Sequence, residues 1–83
     1  MLTAEYTKRQ NKLNKDLADF TLVEEDSQGD VEVYRHNDDE RHVVVNAREL
    51  KIVKRFRDGE SSWSDAARFA GDYFYKHNMD QYV

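Results

Sequence analysis

Residues 31–45 have the sequence VEVYRHNDDERHVVV, and their pattern decides the expected fold. Val31 and Val33 alternate with polar residues, which is the period of a strand with one buried face. The polar residues 37–40 have the chemistry of a tight turn. Three consecutive valines, Val43 to Val45, then predict a strand that is covered on both faces. The stretch therefore predicts two antiparallel strands joined by a turn.

The segments on either side extend this pattern. Residues 20–25 resemble a further strand, joined to the first by a turn in which Gly29 can take a positive φ, so residues 20–46 form an acidic β-meander. Residues 3–19 predict a basic helix, in which Leu13 and Leu17 belong to a thin apolar stripe. Residues 62–77 predict a second helix, with Ser62 as its N-cap and Asp65 three residues later.

Residues 47–57 allow two interpretations. Asn46 as a cap, Glu49 closing a capping box and Gly59 as a stop favour a basic helix. Leu50, Ile52 and Phe56 would also suit a fourth strand. The fold class is therefore α+β: a single domain, residues 1–83, with an antiparallel three- to four-stranded sheet and an N-terminal helix and a C-terminal helix packed against it.

Composition limits the function classes. The 83 residues include no cysteine, which excludes disulfides and thiolate zinc sites. Residues 1–15 do not resemble a signal peptide, and no apolar run approaches the length needed to span a membrane. We therefore expect a cytoplasmic protein that does not contact membranes. No nucleophile, metalloprotease or phosphate-loop motif occurs, so we expect no enzyme and no cofactor. His36, Asp38, Asp39 and His42 flank one turn, but their spacing fits no established metal site.

Charge is strongly segregated along the chain. Residues 1–15 have four basic residues and one acid, a net charge of +3, whereas residues 16–40 have ten acids and one basic residue, a net of −9. Residues 41–57 have six basic residues and one acid, a net of +5, and the rest of the chain has a net of −3. This separation exceeds what solubility alone requires.

The acidic block is the predicted partner-binding site. Carboxylates spaced along neighbouring strands could imitate a run of phosphates and occupy a basic cleft. The predicted site consists of Glu24, Glu25, Asp26, Asp30, Glu32, Asp38, Asp39 and Glu40. The alternative interpretation is a solvated face balanced by the basic residues 41–57. Those basic residues could themselves bind nucleic acid, but the net charge of −4 and the acidic block disfavour direct binding to a polyanion.

Aromatic residues near the C-terminus suggest a second contact. Tyr73, Phe74 and Tyr75 cannot all face one core, because consecutive helical residues point in different directions, so we expect Tyr75 to be at least partly exposed. Tyrosine is favoured at protein interfaces, and Tyr82 follows in the tail. We therefore expect Tyr73, Tyr75 and Tyr82 to take part in a homodimer or partner contact, which would also suit a small structural or assembly adaptor.

The chain as a whole resembles the small inhibitors that bacteriophages make against host proteins, a group that includes DNA-mimic and anti-CRISPR proteins. The resemblance depends on the small size, the absence of cysteine and the dense acids at residues 24–26, 30, 32 and 38–40. It implies a non-catalytic inhibitor in the host cytoplasm that presents its acidic surface to a basic DNA- or RNA-binding protein, such as a nucleoid protein or a nuclease.

Overall fold

The computed structural model describes residues 3–77, which form two helices and a four-stranded sheet. The elements are α1 (Thr3–Asp16), β1 (Phe20–Leu22), a 3-10 turn (Glu24–Asp26), β2 (Val31–His36), β3 (His42–Asn46), β4 (Lys51–Phe56) and α2 (Ser62–Lys76). All strand pairs are antiparallel, in the order β1-β2-β3-β4. The predicted α+β class, with an N-terminal and a C-terminal helix on an antiparallel sheet, is confirmed.

The α2 side of the sheet holds one part of the core. Side chains of β2 and β3 alternate between the two faces, so every second residue points towards α2. The small residues Ala66 and Ala70 let α2 lie close to the sheet. The completely buried members of this cluster are Val31, Val33, Val44, Ala66 and Ala70.

The α1 side of the sheet holds the other part of the core. Here Val43 and Val45 point away from α2 and pack against Leu13 and Leu50. Leu13 is the one buried residue of α1. Since all five residues of β3 are buried, the prediction that the valine strand is covered on both faces is confirmed.

Residues 47–57 form no helix, and the interpretation that we favoured from the capping pattern is wrong. The side-chain oxygen of Asn46 does accept backbone hydrogen bonds from Arg48 (3.0 Å) and Glu49 (3.1 Å), as a helix cap would. These bonds stabilise a turn instead, which Leu50 completes with a φ of 57°. The chain then returns as β4, with an irregularity in its pairing to β3 between Val44 and Val45.

Two predicted boundaries also change. The first helix ends at Asp16, three residues before its predicted end. The strand predicted over residues 20–25 ends at Leu22 because the Ser27 hydroxyl donates to the Val23 carbonyl (2.9 Å) and accepts from the Val33 N–H (3.0 Å). These two bonds fold the chain into the 3-10 turn.

The predicted N-cap role of Ser62 is also wrong, because its side chain faces the core. Ser62 is buried as the first residue of α2, and its hydroxyl lies 3.0 Å from Nδ1 of His42. Ser61 precedes the helix and makes no side-chain capping bond. The start of α2 is therefore held by its contact with β3.

Candidate functional site

The eight predicted acidic residues do not form one continuous surface. Asp30 precedes β2 and residues 38–40 follow it, so a six-residue strand, about 17–20 Å long, separates them. Glu32 lies on the α1 side of β2, beside Tyr34. The 3-10 turn lies on the α2 side, since the preceding Val23 packs against the α2 cluster. The carboxylate grid that two acidic strands would have presented is absent from residues 3–77.

Apart from Asp26, which is described below, four of the eight carboxylates have partners within the protein. Asp30 pairs with Arg48 (2.8 Å), and Glu40 pairs with Arg35 (2.9 Å). The other two bonds join Asp39 to Arg41 (2.9 Å) and Glu32 to the hydroxyl of Tyr34 (3.0 Å). These four carboxylates mainly stabilise turns and strands.

Shifts in pKa follow from these bonds. The backbone N–H of Arg41 donates to Asp39 and, more than any other cause, lowers the pKa of that carboxyl. Burial, followed by the negative charge of Glu32, raises the pKa of Tyr34 to about 12. The hydrogen bond from Arg35 to Glu40 raises the pKa of the guanidinium. In each case the folded protein favours the protonation state that exists at neutral pH.

Besides the exposed Asp38, the 3-10 turn is the part of the acidic block that remains available. Glu24 and Glu25 are exposed, and their side chains make no hydrogen bond or ion pair with any residue in the range 3–77. Asp26 is half-buried and accepts a hydrogen bond of 2.7 Å from the indole N–H of Trp63. A short acidic surface therefore lies directly beside the first turn of α2.

Trp63 is the residue of this surface that the sequence did not single out. Its spacing to Ala66 and Ala70 predicts a place on the buried stripe of α2, yet 53% of its surface is exposed. The bond to Asp26 restricts the orientation of the indole while leaving much of the ring accessible. We call Glu24, Glu25, Asp26 and Trp63 the acidic indole surface. The sequence contained no signal for it, because the contact joins residues 37 positions apart.

The tyrosines of the predicted contact differ in their exposure. Tyr73 is half-buried, its hydroxyl accepts from Asn46 (3.0 Å), and its ring stacks on His77 (centroids 4.1 Å apart). It is therefore part of the packing of α2. Tyr75 is 73% exposed, as its position in the helix predicts, whereas Tyr82 lies outside the described residues. Of the two tyrosines within the described residues, Tyr75 is the more exposed and the more accessible to a partner.

His36 and His42 lie on opposite faces of the sheet. His36 packs edge-to-face on Phe20 on the α1 side (centroids 5.0 Å apart). His42 is fully buried on the α2 side, with Nδ1 2.8 Å from the Glu40 carbonyl oxygen. Within residues 3–77 no three His, Asp or Glu side chains gather in a way that could hold a metal ion.

The two basic segments lie on the same side of the molecule. α1 packs near β4, and a groove of about 490 Å³ between them is lined by side chains of both elements. Its lining consists of Arg9, Lys12, Leu13, Asp16, Glu49, Leu50, Lys51, Ile52 and Arg55. A smaller cavity of about 280 Å³ lies at the β1 edge, where Glu25 and Arg35 contribute.

The described helices, α1 and α2, are both too short or too polar to cross a membrane. Comparisons with protein-family models, curated proteins and solved structures found no match to this chain. Functional inference therefore depends on the geometry of the surface.

Proposed function

We propose that this protein is a non-catalytic inhibitor that acts in the cytoplasm by binding another protein. Its acidic indole surface binds a basic DNA- or RNA-binding protein. The observation that carries the proposal is the half-exposed indole of Trp63, fixed by Asp26 beside two unpaired glutamates. Tryptophan is the residue type most enriched among those that dominate binding energies, and such residues are surrounded by polar groups.

The hydrogen bond to Asp26 makes Trp63 a suitable anchor. A side chain that already has its bound orientation loses little conformational entropy when a partner covers it. The indole offers a large apolar area, and its polar N–H is satisfied before binding, so burial leaves no unpaired donor. Trp63 would supply affinity through this burial.

Glu24 and Glu25 would supply charge complementarity. Neither has a side-chain partner among residues 3–77, so a basic surface could approach them without breaking an ion pair there. Opposite charges at an interface raise the association rate and select basic partners. Competition with nucleic acid would therefore depend on this short surface and not on a long carboxylate grid. The surface would cover only a few phosphate-binding residues of the partner.

The test is capture of partners from a nuclease-treated bacterial lysate, followed by affinity measurement on the purified partner. Trp63→Ala should weaken binding about 30-fold or more, as expected of a central anchor. Glu24→Gln with Glu25→Gln should slow association and reduce its dependence on salt. In competition, the wild type should displace DNA or RNA from the partner.

A matched control removes the same charge elsewhere. Asp38→Asn with Asp72→Asn changes two exposed carboxylates outside the acidic indole surface and should leave binding within about twofold of wild type. Equal binding by the Trp63 variant and wild type would refute the proposal, as would capture of partners that are not basic. All variants should keep the circular dichroism spectrum of the wild type.

A further inference from the structure

The groove between α1 and β4 combines charges that are far apart in the sequence. Arg9 and Lys12 come from the first basic segment, and Lys51 and Arg55 come from the second. With Asp16 and Glu49, the lining has four cationic and two acidic side chains, a local net charge of +2 in a protein whose overall charge is −4. The groove is therefore positively charged, although the protein as a whole is negatively charged.

Two of the four cations have no side-chain partner within residues 3–77. Arg9 pairs with Glu5 and donates to the Glu49 carbonyl, and Lys51 pairs with Glu49. Within the described part of the chain, Lys12 and Arg55 make no ion pair or hydrogen bond through their side chains. An anion that binds either side chain would break no existing ion pair, and the planar guanidinium of Arg55 suits bidentate binding of a phosphate.

The remaining lining of the groove is apolar, and one residue in it is strained. Leu13, Leu50 and Ile52 contribute apolar surface beneath the cations. Leu50 has the one positive φ, 57°, among the non-glycine residues of the described chain. Non-glycine residues in this conformation cluster at binding sites, where the surrounding structure holds them.

We propose that this groove binds a nucleotide-sized phosphorylated ligand, with its phosphate at Lys12 and Arg55 and its less polar part against Leu13 and Leu50. The volume of about 490 Å³ lies within the usual range for small-molecule sites. A long polyanion would approach the acidic remainder of the protein and be repelled, whereas a single nucleotide would not. This site is separate from the acidic indole surface, and its failure would not affect the proposed function.

The test is a titration of ¹⁵N-labelled protein followed by NMR, with adenosine monophosphate, inorganic phosphate and adenosine as separate probes. Adenosine monophosphate should shift the amides of Leu50 to Arg55 and of Arg9 to Leu13, and should saturate with a Kd near about 1 mM or below. Inorganic phosphate should shift fewer of these amides and bind more weakly. Adenosine should bind at least about tenfold more weakly than its monophosphate, since it lacks the charged group.

Matched variants distinguish the groove from general positive charge. Lys12→Gln with Arg55→Gln should weaken binding of adenosine monophosphate about tenfold or more. The control Lys8→Gln with Arg57→Gln removes the same two residue types from the same two segments outside the groove, and should change binding less than about threefold. Equal losses in the two double variants would overturn the proposal, and so would the absence of saturable binding below about 10 mM.

A short oligothymidylate distinguishes the source of the phosphate. If it binds more tightly than adenosine monophosphate and the Lys12/Arg55 variant removes that gain, the groove takes the phosphate of a nucleic-acid strand. Weaker binding than the monophosphate would identify a free nucleotide as the ligand. Tight binding that the Lys12/Arg55 variant leaves unchanged would refute the groove as the site. Thermal unfolding of each variant should match wild type, because both side chains are on the surface.

Discussion

The two faces of the sheet differ in how completely their helices cover them. On the α2 side, five residues of the cluster are 0% exposed, and two of them are alanines of α2 itself. On the α1 side, the helix contributes Leu13, which keeps 8% of its surface exposed, and residues 3–9 of the helix are all exposed. Apolar burial is the main source of stability, so the α2 side stabilises the fold and the α1 side leaves room for a groove.

The acidic indole surface belongs to the well-packed side. Trp63 lies in the first turn of α2, whose position is fixed by its packing against β2 and β3. The groove belongs to the more open side, where a polar helix with one buried residue rests on β4. A rigid anchor suits a protein interface, whereas a concave groove suits a small ligand. Substitutions at matched positions on the two faces test this difference.

The largest effect is expected at Gly29, on the α2 side. Gly29 has a φ of +56°, and a Cβ atom there would lie 2.8 Å from Cε1 of Phe74. Gly29→Ala should therefore lower the free energy of unfolding by about 2–4 kcal/mol, through backbone strain and a steric clash. Urea unfolding measures the change.

Gly71 provides the control for this substitution. It lies in α2, where a Cβ would meet Gln28 Nε2 at an ordinary contact distance of 3.5 Å. Gly71→Ala should be neutral or stabilise by up to about 1 kcal/mol, because alanine favours the helix. Equal changes in the free energy of unfolding for the two substitutions would show that α2 does not pack tightly against the loop that contains Gly29.

The adjacent valines of β3 compare the faces directly. Val44 and Val45 are both fully buried, but Val44 faces α2 and Val45 faces α1. Val44→Ala should cost about 2–3 kcal/mol and Val45→Ala about 1–2 kcal/mol, because the α1 side can close around the lost methyl groups more easily. The reverse order in denaturant unfolding would contradict the described difference in packing.

A smaller difference is expected at Leu50. Both Leu50→Ala and Leu50→Gly remove its packing against Leu13, but glycine also relieves the φ of 57°. The glycine variant should therefore be more stable than the alanine variant by roughly 1 kcal/mol, the opposite of the usual order. Thermal unfolding of the pair measures this, and a more stable alanine variant would show that the turn relaxes.

The smallest effect concerns pH and Tyr34, on the α1 side. Its pKa is raised to about 12, so the folded state favours the neutral phenol. The corresponding stability is complete below the ordinary pKa of 10 and is lost as the pH rises towards 12. A pH titration followed by ultraviolet absorbance should show one tyrosine that ionises at an unusually high pH. This step should be missing in Tyr34→Phe. Glu32→Gln should lower its pKa, and an unchanged titration would exclude the contribution of Glu32.

Much of the fold could be predicted because its signals are local. The run Val43 to Val45 predicted a strand that is buried on both faces, and the alternation of Val31 and Val33 predicted its neighbour. Residues 47–57 misled the prediction because an asparagine that caps a helix can equally cap a turn. Only the return of the chain at Leu50 decides between the two.

The candidate sites could be predicted less well because they depend on long-range packing. Trp63 contacts Asp26 across 37 residues, and Lys12 and Arg55 line one groove only because α1 packs on the β4 side. Nothing in the polar sequence of α1 specifies which face of the sheet it covers. The acidic block was evident in the sequence, but its division between a turn, a strand and two loops was not.

The position of β4 at the end of the strand order has a consequence for aggregation. One side of β4 has no neighbouring strand in the described sheet, and such an edge can pair with the strand of another molecule. Lys51, Lys54 and Arg55, together with the pairing irregularity opposite Val44, are features that oppose such pairing. Lys51 and Arg55, which line the groove, would therefore also oppose pairing between the β4 edges of two molecules. If Lys51, Lys54 and Arg55 were all replaced by neutral residues, Ile52 and Val53 would lie on a sheet edge that no longer has charged side chains to oppose pairing.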